Sequence, residues 1–446
     1  MGSMASAMLL RLDTPIRSLT LAFCLWKALL FVVIVACPGL GYDTSTTTRT
    51  RILFPPTSVG SLSRSLKFTR WDSIYFLHIA EHGHVFEQEW AFNYPRILGL
   101  FMSGIQWSGG EGGPVNTAFV GVALSHVAHY LSVLALYQLS GNIFGHATIP
   151  QRLICFLSAA LHIISPGGAF LSAPYGESIF SFLNFSGFYL YSSSLIAERN
   201  GITGLRDFQV LLASGLFAIA TVVRSNGILS GFLFAYDALL LTWETLTRGP
   251  SRHSLRRLAV IIVGGGIVAV GMVVPQIMAY RAYCLAGGNL RPWCGWSIPS
   301  IYSWVQGTYW NVGFLRYWTV SNIPLFLLAA PLLAILCRSS LWALQAPSTL
   351  RSKSGETASS LSPGSMLFRL AVPQGLLAVM ALTSYHVQII NRISSGYPLW
   401  YWYLVSTAMD NFQDRHKHRG LPVAAQAMVA YALIQGVLFG SFLPPA

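Results

Sequence analysis

A carboxylate near the start of the chain stands in a setting that suits acid–base chemistry. Asp72 directly follows the basic Arg70 and the aromatic Trp71. A positioned carboxylate can take a proton from a reacting hydroxyl group, and an aromatic ring next to it can pack against the apolar face of a sugar. These residues predict that Asp72 is a general base. The alternative on the same residues is an exposed carboxylate that pairs with Arg70.

Six residues further on, His78, Glu81 and His82 form the pattern H-x-x-E-H. This is the ligand spacing of one class of zinc peptidase. A third ligand would be needed, and Glu177 is the candidate. Because so short a pattern arises readily by chance in a chain with 11 histidines, we expect no metal here and interpret these side chains as interfacial polar residues.

Two arginines stand beside apolar segments, where an unpaired charge is costly and usually has a partner. Arg224 is followed by Ser225 and Asn226, and Arg392 follows Asn391. The guanidinium group matches two phosphate oxygens at once, so both arginines are candidates for phosphate binding. The alternative for each is anchoring at the membrane interface, with the charged group reaching into water.

Glu177 is preceded by Pro174-Tyr175-Gly176, a rigid and irregular entry into an apolar segment. Irregular backbone at membrane depth is tolerated only where protein or a water-filled cavity surrounds it, which favours a functional role. A carboxylate in the first turn of a helix is also stabilised by the helix dipole. The sequence leaves both interpretations of Glu177 open.

A loop over residues 280–319 is unusually rich in aromatic side chains. An aromatic belt at the membrane surface explains part of this richness. Aromatic rings with interleaved amides can also hold a carbohydrate, and Asn311 follows directly on Trp310. The tryptophans of this loop and its flanks are Trp293, Trp296, Trp304, Trp310 and Trp318.

These residues must be positioned by helices within a membrane. Of the 446 residues, 53% are hydrophobic and 10% are charged, against about a quarter charged in soluble proteins. Several runs approach the roughly 20 apolar residues that cross a bilayer. We predict a single all-α polytopic domain over 1–446, with about eleven spans near 17–37, 115–140, 152–166, 177–197, 208–223, 227–243, 258–279, 320–337, 367–385, 394–408 and 422–443.

The distribution of positive charge predicts the orientation. With a cytosolic N-terminus, sixteen Lys and Arg lie in cytosolic segments and five on the other side, outside the long first loop. The net charge of +13 therefore reflects topology rather than nucleic-acid binding. The first loop (38–114), predicted to carry interfacial helices, and the aromatic loop (280–319) are non-cytosolic, whereas 338–366 is predicted to be a flexible cytosolic loop. All the candidate site residues fall on the non-cytosolic face.

The sequence resembles a known family, the second mannosyltransferase of GPI-anchor assembly (GPI mannosyltransferase II, PIG-V type). The matching segments are spread in order over nearly the whole chain. They are Arg70-Trp71-Asp72-Ser73, Ile79-Ala80-Glu81-His82-Gly83, Val223-Arg224-Ser225-Asn226-Gly227, Pro292-Trp293-Cys294, Ile301-Tyr302-Ser303, Tyr309-Trp310-Asn311-Val312-Gly313-Phe314-Leu315, His386-Val387-Gln388 and Phe442-Leu443-Pro444.

The resemblance implies a GT-C glycosyltransferase of the endoplasmic reticulum membrane with a lumenal active site. Such an enzyme transfers mannose from dolichyl phosphate mannose to the first mannose of the GPI precursor in an α-1,6 linkage. Asp72 would be the base, and Arg224 and Arg392 would bind the donor phosphate. Substrate contacts are expected at Arg70, Trp71, Glu81, His82, Tyr175, Glu177, Asn226, Trp293, Trp310 and Asn311.

The same resemblance implies no cofactor, no metal and no nucleic acid. The expected partners are the lipid-linked donor, the glycolipid acceptor and the membrane, and there is room for a small membrane accessory subunit. Two other classes of protein are the alternatives. A transporter or flippase usually shows internal pseudo-symmetry, and no repeat is apparent; a membrane zinc peptidase rests on the histidine motif alone.

Cys284 and Cys294 lie in the aromatic loop, on the side predicted to be oxidising. Disulfides persist in such a compartment, and the nine residues between the two cysteines include the flexible pair Gly287-Gly288. Two free thiols packed among tryptophans are the alternative. The sequence cannot decide between them, because it does not fix the distance between the sulfur atoms.

Overall fold

The computed structural model describes residues 12–37, 67–107, 114–285, 291–354, 365–410 and 420–443. Within these ranges the chain forms fifteen α-helices joined by short 3₁₀ and π turns. The helices are α1 (Pro15–Ala36), α2 (Asp72–His82), α3 (Tyr94–Trp107), α4 (Pro114–Phe144), α5 (Ile149–Ile163), α6 (Glu177–Arg199), α7 (Thr203–Val223), α8 (Gly231–Arg248), α9 (Arg252–Tyr280), α10 (Ile301–Thr308), α11 (Ile323–Ser354), α12 (Ser365–Thr383), α13 (Ile390–Ile393), α14 (Leu399–Asp410) and α15 (Gly420–Gly440).

Seven helical segments in the described part of the chain are long and apolar enough to cross a membrane. They are Pro15–Ala36, Asn116–Phe144, Thr203–Val223, Arg252–Leu285, Val320–Gln345, Ser365–Thr383 and Gly420–Gly440. The all-α polytopic class is therefore confirmed. Each of the eleven predicted segments overlaps a helix, and the total of eleven spans stays a prediction.

Helix α6 lies at the centre of the bundle, where it packs against both α4 and α7. Most of its residues are buried, and several of the buried ones are polar. Asn184 donates to the carbonyl of Gly396 at 2.9 Å and accepts from the hydroxyl of Ser230 at 2.8 Å. A helix that is surrounded by protein can carry such polar groups because its neighbours satisfy their hydrogen bonds.

The two ends of α6 carry separate charged clusters. Glu177 is its first residue, and Glu198 lies one residue before its end, so the two carboxylates are separated by about 30 Å of helix. At the Glu198 end, Arg206 of α7 pairs with Glu198 at 2.5 Å. The hydrocarbon core of a bilayer is about 30 Å thick. The distance between the two clusters therefore matches the distance between the two faces of a membrane.

The predicted loops contain more helix than their composition suggests. The first loop contains the helices α2 and α3, and their location at the membrane interface stays a prediction. The prediction that 338–366 is a flexible loop was wrong for its first part, because α11 continues as a helix to Ser354. Residues 339–346 contain no glycine or proline, and the helix continues past Pro347. Residues 355–364, and residues 38–66 of the first loop, lie outside the described residues.

Candidate active site

A cavity of about 240 Å³ lies where α2 begins, where α6 begins and where α7 ends. The aromatic loop and the segment before α14 complete its wall. Charged and aromatic side chains dominate the lining. The residues that line it are Asp72, Phe76, Ala91, Phe92, Tyr94, Tyr175, Gly176, Val223, Arg224, Ser225, Asn226, Tyr302, Gln306, Trp310, Val312, Tyr385, His386, Ile389, Arg392 and Ile393.

Asp72 is the first residue of α2 and presents its carboxylate to this cavity. Its Oδ2 lies 3.7 Å from Nη2 of Arg392, and 31% of its side chain remains exposed. Enclosure by the cavity wall raises the pKa of Asp72 above its ordinary value, and the positive charge of Arg392 opposes that rise. A carboxylate with a raised pKa is a stronger proton acceptor than an ordinary aspartate, as a general base requires.

Glu177 joins the two arginines of the cavity. Its Oε1 lies 2.8 Å from Nη1 of Arg224 and 3.5 Å from Nε of Arg392, and its side chain is fully buried. Such a buried carboxylate is stable because it is paired. The buried Nε of Arg224 has no hydrogen-bond partner among the described residues. Both arginines also line the cavity, so an anionic ligand there would meet their positive charge.

The backbone after α7 turns back on itself and thereby places Arg224 and Asn226. A Cβ on Gly227 would lie 2.6 Å from the backbone nitrogen of Thr221, so only glycine allows this close approach. The side-chain amide of Asn226 donates to the hydroxyl of Tyr397 at 3.1 Å, and that hydroxyl donates to the carbonyl of Asn226 at 3.1 Å. The turn is therefore held against the segment before α14.

Tyr175 connects the irregular segment before α6 with the loop that carries the base. Its hydroxyl donates to the carbonyl of Arg70 at 2.8 Å. The segment is held from the other side by Lys27 of α1, whose ammonium group donates to the carbonyl of Leu171 and to the hydroxyl of Ser172, both at 2.8 Å. Residues 165–181 are all buried, so protein surrounds this irregular backbone.

Seven of the predicted site residues therefore come together. Six of them line the cavity, and Glu177 lies behind the two arginines as their common partner. The six are Asp72, Tyr175, Arg224, Asn226, Trp310 and Arg392. The sequence identified each of these residues separately, and the structure brings them together at one cavity. Their individual roles in binding and catalysis stay predictions.

The remaining six predicted residues lie outside the cavity lining. Arg70 and Trp71 pack behind the Asp72 loop, and Trp293 is buried with its indole donating to Glu87 at 3.0 Å. Asn311 is exposed, with a positive φ of 51°. Glu81 and His82 lie at the far end of α2 from Asp72.

Several cavity residues were not predicted from the sequence. They include the aromatic residues Phe76, Tyr94, Tyr302 and Tyr385, together with Gln306 and His386. His386 and Tyr302 stand in segments that carried the family resemblance, so that signal could have identified them. Phe76 and Tyr94 could not be distinguished from core residues by type and spacing.

The histidine motif of α2 is engaged in hydrogen bonds within the loop. Nδ1 of His78 lies 2.7 Å from Oε1 of Glu89, and Nδ1 of His82 lies 3.2 Å from the carbonyl of His78. In the part of the chain that the structure describes, no cluster of three or more His, Cys, Asp or Glu could hold a metal ion. The third ligand considered, Glu177, is instead paired with Arg224.

Cys284 and Cys294 form a disulfide, with their Cα atoms 5.7 Å apart. Of the two alternatives left by the sequence, the disulfide is the one found. It joins the π turn at the end of α9 to the 3₁₀ turn Pro292–Gly295. That turn includes Trp293, which packs in a small apolar cluster with Trp90 and Val305. The disulfide therefore closes the first part of the aromatic loop.

The fold and the cavity define a class of protein, a polytopic helical membrane protein whose cavity is lined by the carboxylate of Asp72 and by two arginines. The chain belongs to the mannosyltransferase (PIG-V) family, whose model matches residues 16–446.

Curated relatives of this family cover most or all of the chain. GPI mannosyltransferase 2 of Aspergillus oryzae is 54% identical over 100% of this chain and 99% of its own length. GPI alpha-1,6-mannosyltransferase 2 of Mus musculus is 31% identical over 75% of this chain and 72% of its own length. Among solved structures, the apo oligosaccharyltransferase of Archaeoglobus fulgidus is similar with a TM-score of 0.45 and 12% identity, over 94% of this chain and 56% of that chain.

Proposed function

We propose that this chain transfers mannose from dolichyl phosphate mannose to the first mannose of the GPI precursor, forming an α-1,6 linkage. Membership of the mannosyltransferase family supports mannose as the sugar transferred. The names of the relatives support the GPI precursor as the acceptor and α-1,6 as the linkage. The all-α polytopic architecture is the one expected for a GT-C glycosyltransferase.

One observation supports this mechanism: Asp72, Arg224 and Arg392 line a single cavity. Glu177 lies behind the two arginines and pairs with both. Asp72 takes the proton from the 6-hydroxyl of the acceptor mannose, and the oxygen attacks the anomeric carbon of the donor. The new C–O bond forms as the bond to phosphate breaks, and the electron pair leaves with dolichyl phosphate. A β-linked donor and an α-linked product require one inversion, with no covalent enzyme intermediate.

The arginines supply the positive charge that the leaving phosphate needs. Preorganised charges are effective in catalysis because they need no reorganisation as negative charge develops. Glu177 supports this preorganisation by holding Arg224 and Arg392 together from its buried position. The carboxylates of Glu177 and Asp72 together balance the two guanidinium groups, so net positive charge appears when Asp72 takes up the acceptor proton, as negative charge develops on the donor phosphate.

We place the active site on the lumenal side of the endoplasmic reticulum membrane. The segments predicted to be cytosolic carry sixteen Lys and Arg, and those on the other side carry five outside the first loop. This excess supports the orientation. Two arginines of the predicted cytosolic segments form ion pairs, Arg206 with Glu198 and Arg369 with Asp237. None of these four residues lines the cavity. An accessory membrane subunit remains compatible with the exposed apolar faces of the spans.

A transfer assay on the purified protein in lipid tests the proposal. Labelled dolichyl phosphate mannose is mixed with a GPI precursor that carries one mannose, and a two-mannose product cleaved by an α-1,6-specific mannosidase is expected. GDP-mannose as donor and a precursor without mannose are the matched controls, and both should give no product. Movement of the glycolipid across vesicle membranes without any new glycosidic bond would contradict the proposal and favour a flippase.

A further inference from the structure

The loop that carries the proposed base is held in an unusual backbone conformation. Trp71, the residue before Asp72, has a positive φ of 55°. A bulky residue rarely adopts this conformation, and it persists only where the surroundings hold it in place. Two local bonds contribute, because the hydroxyl of Ser73 donates to the carbonyl of Arg70 at 2.6 Å and accepts from the amide of Arg70 at 2.7 Å.

A residue from the far end of the chain packs against this loop. Phe442 follows α15 and is completely buried. Its ring lies 4.8 Å from the guanidinium carbon of Arg70 and meets the ring of Trp71 edge to face, with ring centroids 5.1 Å apart. Phe442 itself has a positive φ of 55°. The side chains of both residues before the base therefore contact one aromatic ring.

The Arg70–Trp71 pair is also held from the opposite direction. Tyr175, which lines the cavity, donates its hydroxyl to the carbonyl of Arg70 at 2.8 Å. Arg70 is itself 2% exposed. Tyr175 therefore contacts the backbone of this loop, and Phe442 contacts its side chains. Asp72 directly follows Trp71 in the chain.

We propose that Phe442 is a positioning residue for the reaction, which acts by fixing the Arg70–Trp71 backbone and so the direction of the Asp72 carboxylate. This inference rests on the proposed function for its catalytic consequence. Phe442 does not touch the substrate in this arrangement and contributes through Asp72 alone.

The test compares three variants of the full-length protein in lipid. Phe442→Ala removes the ring, Phe442→Tyr keeps it, and Leu443→Ala alters the neighbouring side chain, which is 39% exposed. A base displaced by about 1 Å lowers the rate by up to about 10²-fold. We expect Phe442→Ala to lower kcat by about 10-fold to 100-fold with the donor KM unchanged, and the other two variants to keep kcat near the wild-type value.

A second measurement does not depend on turnover. The amides of Ser73 and Ile74 are bonded to the carbonyls of Arg70 and Trp71, so hydrogen–deuterium exchange reports the order of this loop. Exchange over residues 69–76 should be faster in Phe442→Ala and unchanged in Leu443→Ala. Wild-type exchange in Phe442→Ala, or a wild-type kcat in that variant, would overturn the inference. If the wild-type protein transfers no mannose, the proposed function fails, and the exchange comparison still decides whether Phe442 orders the loop.

Discussion

Replacing Arg392 by glutamine should change the pH dependence of transfer as well as its rate. Arg392 lies 3.7 Å from the carboxylate of Asp72, and its charge lowers the pKa of that group against the rise caused by burial. The neutral glutamine removes this opposing effect and leaves the desolvation. The pKa of Asp72 should therefore rise further in the Arg392→Gln variant.

The size of the shift follows from the geometry. Two unit charges at this distance interact by roughly 4 kcal/mol at an effective dielectric constant of about 20. Partial exposure of both side chains reduces that figure through solvent screening. With about 1.4 kcal/mol for each pKa unit, a shift of about one to two units is expected, within the range found for opposite charges at such distances.

The assay is the pH profile of kcat/KM for the donor, which reports the ionisation of the free enzyme. Asp72 must be deprotonated to act, so the rate falls as pH decreases through its pKa. In Arg392→Gln this acidic limb should move to higher pH, while Arg392→Lys should keep most of the wild-type limb. Arg224→Gln is the comparison variant: Arg224 forms no ion pair with Asp72 and lowers the pKa of that group less than Arg392 does, so a smaller shift of the limb is expected. An acidic limb at the wild-type pH in Arg392→Gln would refute the reasoning.

Three further predictions test the site and its loop. Asp72→Ala should lower transfer by about 10²–10⁴-fold, the usual loss of a general base, with normal expression and membrane insertion, and near wild-type turnover would show that Asp72 is not the base. Arg224→Lys should raise the KM for dolichyl phosphate mannose more than that for the acceptor, because a point charge cannot replace the guanidinium fork; an unchanged donor KM would contradict this. Mass spectrometry after alkylation should label Cys284 and Cys294 only after reduction, and labelling of both without reduction would argue against the disulfide.

Much of this molecule could be predicted from its sequence because the relevant signals are local. A run of apolar residues identifies a helix in lipid wherever its neighbours lie. Each of the eleven predicted segments accordingly overlaps a helix. Charged residues beside such runs are equally conspicuous because they are rare, and they identified Glu177, Arg224 and Arg392 as candidates.

Other features depended on contacts between distant parts of the chain. Glu177 could be interpreted as a helix cap or as a site residue, and only packing showed it between Arg224 and Arg392. Glu81 and His82 looked like neighbours of Asp72 in the sequence, but a helix of 11 residues carries them to its other end.

The sequence by itself determined the all-helical membrane class and the family, and it supplied candidate site residues. The tertiary structure decided which of those residues share a cavity, which cysteines are bonded and that Phe442 supports the loop before Asp72. The physical reason is that helix formation depends on residues within a few turns. Ion pairs, ring contacts and disulfides depend on where separate helices pack, which no local pattern specifies.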